Sequence, residues 1–144
     1  MVRITRRAPD ERGEASIEFM VFTIAVIIPI AYFIFTMASL QATSFAVEAA
    51  ARESARILAH DWQASDFADR QVETIFADYR LRGADEVESV CEPQPCTSGS
   101  MVTVRISTHV NYPLIPTQWL DSVVPKIPVR ATYSMPVGGV EIVP

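Results

Sequence analysis

Residues 19 to 47 form a run of 29 consecutive positions without a formal charge, bracketed by Glu18 and Glu48. A helix of about 20 mainly apolar residues crosses a hydrocarbon core, so this run exceeds what one span needs. As a helix it would measure about 43 Å against about 30 Å of hydrocarbon. The excess implies tilt, or a helix that leaves the bilayer and packs elsewhere. Any further structure must be built onto that helix. The 144 residues leave room for one small domain besides the span. With 49% hydrophobic and 20% charged residues, the chain is neither a disordered polar tail nor an ordinary cytoplasmic globular enzyme.

Charge is polarised in the same direction. Residues 1 to 13 hold four arginines, Arg3, Arg6, Arg7 and Arg12, against Asp10 and Glu11, a net +2. The remaining 131 residues hold 8 basic and 15 acidic groups, a net −7. Positive charge beside a single span stays cytoplasmic, which predicts a cytoplasmic N-terminus and an acidic C-terminal part outside the cytoplasmic membrane. An acidic domain lacks the basic patch that displaces counterions from nucleic acid, so direct nucleic-acid binding is excluded.

The pattern predicts an α+β chain with three parts: a leader over residues 1–13, a membrane-spanning helical stem over 14–62, and an extracytoplasmic domain over 63–144. The leader is Arg-rich, broken by Pro9 and Gly13, and is expected to lack structure. The stem helix is expected to begin near Glu14, to kink at Pro29 where a backbone hydrogen bond is lost, and to continue to about His60. Beyond the bilayer, Val47, Ala51, Ser54, Leu58 and Trp62 form one stripe. Ala46, Ala49, Ala50, Ala55 and Ala59 keep the helix slim enough for close packing. Glu48 and Arg52 stand at i,i+4 in the favourable order.

A second, amphipathic helix follows, with Ser65 or Asp66 as N-cap, a buried stripe at Ala68, Val72, Ile75, Phe76 and Tyr79, and Gly83 as its stop. The period then changes from 3.6 to 2. Val102, Val104, Ile106, Thr108, Val110 and Tyr112 alternate with polar residues, as do Ile127, Val129, Ala131, Tyr133 and Met135. Residues 86–91 make a weaker strand, giving a small three-stranded antiparallel sheet that is apolar on one face. Between the two strong strands, residues 116–124 are long enough for one or two helical turns, bounded by prolines.

Cys91 and Cys96 fall in the part predicted to be exported, where a close pair is most simply a disulfide. The rival is a metal half-site, which would need help from His60 or His109, neither in a ligand motif. His60, Asp61 and His109 have no nucleophile or oxyanion donors beside them. There is no phosphate loop or nucleophile elbow. Trp62 and Trp119 read as core anchors. The chain is expected to be non-catalytic, without metal or cofactor.

One stretch is physically odd for an ordinary signal anchor: Arg12-Gly13-Glu14-Ala15-Ser16-Ile17-Glu18-Phe19. Glu18 adjoins the apolar run, and a carboxylate drawn to mid-bilayer costs about 2.5–3.5 kcal/mol on insertion scales. It needs a cation, and a newly made α-amino group would supply one. A basic leader ending in Gly13, an acid at the fifth following position (Glu18), an aromatic next (Phe19) and a long apolar helix resemble the class III signal of type IV pilin-like proteins. That resemblance implies cleavage between Gly13 and Glu14 by a prepilin peptidase. It also implies roles for Glu18 and Phe19 in subunit register and assembly. Glu14 as the first mature residue is where the chain departs from the pattern.

Beyond the leader, the chain resembles the TadE-like minor pilins (pseudopilins) of the tight adherence, or Flp-type, apparatus. The Gly-Glu-Ala-Ser-Ile-Glu-Phe start, the Ala/Arg-rich residues 49–56 and the C-terminal strands carry that likeness. It implies assembly with a Tad secretion ATPase and its membrane platform proteins, other minor pilins and the major Flp pilin. The outcome would be adhesion, biofilm formation or DNA uptake. The alternative is an uncleaved, signal-anchored binding module.

Overall fold

A computed structural model describes residues 11–110, 112 and 126–138. In chain order they form helix α1 (Glu11–His60), helix α2 (Ser65–Asp78) and strands β1 (Glu86–Glu92), β2 (Met101–His109) and β3 (Pro128–Pro136). The architecture is α+β, with the long apolar helix, the second helix and the antiparallel sheet that the residue pattern predicts. Contacts divide the chain into two compact units, Met1–Phe35 and Thr36–Pro144.

In α1 the helix begins at Glu11 and runs across Gly13, where an unstructured leader end was expected. One glycine costs a helix only about 1 kcal/mol relative to alanine, so apolar propagation behind it can override the break. The helix continues through Pro29. Hydroxyls in the apolar run are satisfied by their own helix: Thr23 donates to the Phe19 carbonyl at 2.7 Å, Thr43 to Ser39 at 2.8 Å and Ser44 to Leu40 at 2.9 Å. Such bonds to the preceding turn satisfy hydroxyls that apolar surroundings could not.

The unit Thr36–Pro144 has a single core. Val47, Ala50, Ala51, Ala55 and Leu58 of α1 meet Ala68, Val72 and Phe76 of α2, and Cys91, Val102, Val104 and Ile106 of the sheet. The stripe predicted for α1 is buried from Val47 through Leu58, with Trp62 half-buried against it. Ala46, Ala50, Ala51 and Ala55 are fully enclosed, which is how a helix comes close to a sheet without bulky spacers, whereas Ala49 is half-buried. The Arg52 guanidinium lies over the Tyr133 ring, 5.5 Å from its centroid, and so adds a cation–π link between α1 and β3. The Glu48–Arg52 pair forms at 3.1 Å on the exposed side.

α2 departs from expectation at both ends. Its N-cap is Ala64, with no side-chain cap; Asp61 instead accepts the Gln63 backbone N–H at 2.9 Å, forming the turn before the helix. At the other end the helix closes on Arg80, in the left-handed conformation at φ 58°, ahead of Gly83, which also has a positive φ, 124°. Leu81 N–H reaches the Phe76 carbonyl at 2.9 Å and Arg80 N–H the Ala77 carbonyl at 2.8 Å, a Schellman closure. Ala68, Val72 and Phe76 are buried as predicted, whereas Ile75 is half-buried and Tyr79 is exposed.

The sheet is an antiparallel meander in the order β1-β2-β3. Its register sets Val87, Ser89 and Cys91 beside Ile106, Val104 and Val102, and these beside Ala131, Tyr133 and Met135. This is the face the helices cover. Coverage is complete over β2, partial over β3, and on β1 reaches only Cys91. The opposite face is polar, with Arg105 bonded to Glu88 at 3.2 Å and Ser107 to Glu86 at 3.3 Å. The C-terminal end of β3 is tied back by Val137 N–H to the Ser100 carbonyl (2.8 Å) and Gly138 N–H to the Ala59 carbonyl (3.4 Å). Leader residues 1–10 and the expected turns at 116–124, with Trp119, lie outside the described residues.

Candidate functional site

The stem surface is apolar and open. α1 contains a segment, Ser16–His60, long and apolar enough to cross a membrane; the mean hydropathy of its most apolar 18-residue window is 2.4, and none of that window is buried. Phe19, Met20, Phe22, Ile24 and Phe33 are each more than half exposed. In water such a surface would be a large unfavourable area at about 25 cal/mol per Å². It is compatible with a membrane anchor.

Gly13 and Glu14 lie in the first two turns of α1. Glu18 is exposed on the helix face that also carries Ile17, Val21, Phe22 and Ala25. Phe19 projects beside Ser16, Met20, Thr23 and Ile24. The structure therefore sets the carboxylate and the aromatic at the start of the apolar surface, one residue apart and on diverging faces. Peptidases act on extended backbone, so a cut between Gly13 and Glu14 would require that end of α1 to unwind. Helix ends fray readily because their first four N–H groups have no partner within the helix.

In the other unit, Cys91 and Cys96 form a disulfide with their Cα atoms 5.8 Å apart, which removes them as metal ligands. Cys91 is buried at the core margin and Cys96 packs against it. The bridge closes the turn between β1 and β2, where Ser100 Oγ donates to the Pro93 carbonyl at 2.8 Å. His109 Nδ1 stands 2.6 Å from Asp85 Oδ2, a contact that ties the end of β2 to the segment before β1. His60 is exposed at the end of α1. Among the described residues no group of three or more His, Cys, Asp or Glu could hold a metal ion.

Sequence reasoning missed the Asp85–His109 pair, the Arg80 closure and the Arg52–Tyr133 contact. The first and last join residues far apart in the chain, and no local pattern marks them. Arg80 could have been suspected from Leu81, whose apolar side chain suits the residue after a left-handed helix cap. No protein-family model, curated protein or solved structure matches the chain.

Proposed function

We propose that the chain is a TadE-like minor pilin subunit of a tight adherence (Flp-type) pilus, non-catalytic and held in the cytoplasmic membrane by α1 before assembly. The observation that carries this reading is the Gly13-Glu14-Ala15-Ser16-Ile17-Glu18-Phe19 boundary, set at the head of an apolar helix segment none of whose most apolar window is buried. After removal of residues 1–13 by a prepilin peptidase, the stems pack side by side. Glu18 then meets the α-amine of a neighbouring subunit. Such a desolvated pair fixes register more surely than it adds stability. The assembly ATPase, its membrane platform, other minor pilins and the major Flp pilin are the partners of this reading, in adhesion, biofilm formation or DNA uptake.

A second reading draws on the helical conformation at Gly13 and Glu14. An uncleaved anchor that displays an extracytoplasmic binding module would keep that helix whole. The intact mass of the protein, expressed with and without a cognate prepilin peptidase, separates the two. The expected result is peptidase-dependent loss of residues 1–13, leaving Glu14 first. An unchanged mass beside an active peptidase would sink the pilin reading in favour of the anchor. Where cleavage occurs, Glu18→Gln is expected to leave it intact and to abolish incorporation into pili.

A further inference from the structure

We propose that the groove between α2 and β1 receives an extended, lysine- or arginine-bearing segment of another protein, added as a fourth strand along β1. The proposal holds equally for a pilus subunit and for a membrane-anchored module. Three observations lead to it. Among the described residues β1 pairs with β2 alone, so its outer edge offers backbone N–H and C=O groups that a strand could take up. The helical layer also stops short of that edge. Ile106 on β2 is 0% exposed, whereas its β1 neighbour on the same face, Val87, is 40% exposed. The strip left open forms a groove of about 610 Å³. Val72, Leu81 and Val87 give it apolar walls, and the carboxylates of Asp69 and Glu73 line it from α2.

Charge selects the occupant. Asp69 and Glu73 are exposed and form no ion pair among the described residues, while Arg82 is a lone cation in the same groove lining. On the other face, β1 carries Glu86, Glu88 and Glu92. A second copy pairing β1 to β1 would set these acids against one another across the new ladder, and opposed like charges destabilise a strand pair. A strand whose groove-facing positions carry both apolar and cationic residues meets no such penalty. Its backbone extends the sheet, and of the alternate side chains that face the groove, the apolar ones cover Val87 while the cationic ones reach Asp69 and Glu73.

The test uses the full chain in detergent micelles and a capped eight-residue peptide with threonine at every second position and valine, lysine, lysine and valine in turn at the others, with binding followed by fluorescence anisotropy. Saturable binding is expected, weakened about fivefold by Asp69→Asn with Glu73→Gln, as two partly exposed charge pairs would give. Circular dichroism must show that the double variant remains folded. A peptide of the same charge with alternate backbone nitrogens methylated is expected not to bind, since it cannot join a ladder. Equal binding of the methylated peptide, or of one with glutamate in place of lysine, would overturn the strand-addition proposal. So would unchanged affinity in the folded double variant. Self-association of the chain that the double variant abolishes would assign the groove to a second copy instead.

Discussion

Arg80 sits where a helix usually ends on glycine. Its φ of 58° places a Cβ-bearing residue in the left-handed region, at a cost glycine avoids. Arg80→Gly is therefore expected to raise stability by about 0.5–1 kcal/mol, with the gain reduced by the greater freedom of glycine in the unfolded chain. A urea titration of the detergent-solubilised protein reads this as a higher midpoint. Phe76 is the opposite case, 1% exposed at the centre of the core, and Phe76→Ala should cost about 3–5 kcal/mol. The same titration would show a lower midpoint or an unfolded chain. Phe76 was legible from its place in a 3.6-residue stripe. The Arg80 conformation was not, because Gly83 offers a stronger local stop signal three residues later. The stop went to Arg80 because closing there brings Leu81 against the core, a tertiary gain that local propensity does not register.

At the scale of elements, periodicity was a sound guide wherever one face meets one environment. β2 is the clearest example, since Val102, Val104 and Ile106 alternate cleanly and all three are fully buried. β1 was weaker in the sequence for the reason that leaves it half-covered in the fold: its inward residues, Val87 and Ser89, lie beyond the helical layer. The turn that follows depends on its staple. Joining residues five apart restricts the unfolded chain by about 2 kcal/mol in the loop-entropy account, so reduction or Cys91→Ser should lower stability by about that amount. The check is the difference in urea midpoint with and without reductant, which Cys91→Ser should abolish. Of the candidate site, the carboxylate and aromatic at positions 18 and 19 were legible because charge beside a long apolar run is conspicuous. The helical state of Gly13 was not, since glycine and a basic leader both argue locally for coil.

For the molecule as a whole, the decisive property is that α1 carries two unlike surfaces. Its early part presents Phe33 outward at 62% exposure, and its later part has Ala50 and Ala51 at 0%. Phe33→Arg places a cation in the apolar run at a cost of about 2.5–3.5 kcal/mol on insertion scales. Membrane fractionation should then find less of the protein resistant to carbonate extraction; an unchanged distribution would contradict the anchor. The second part of α1 has a practical consequence for anyone trimming the chain to work in water. Thr43, Ala46 and Val47 are already fully enclosed, and the compact unit that contains them starts at Thr36. A shortened protein that begins at residue 63, just after α1, would leave Ile106 and Phe76 without their lid and should precipitate. One that begins between Thr36 and Thr43 sheds most of the greasy surface yet retains every α1 side chain the sheet rests on.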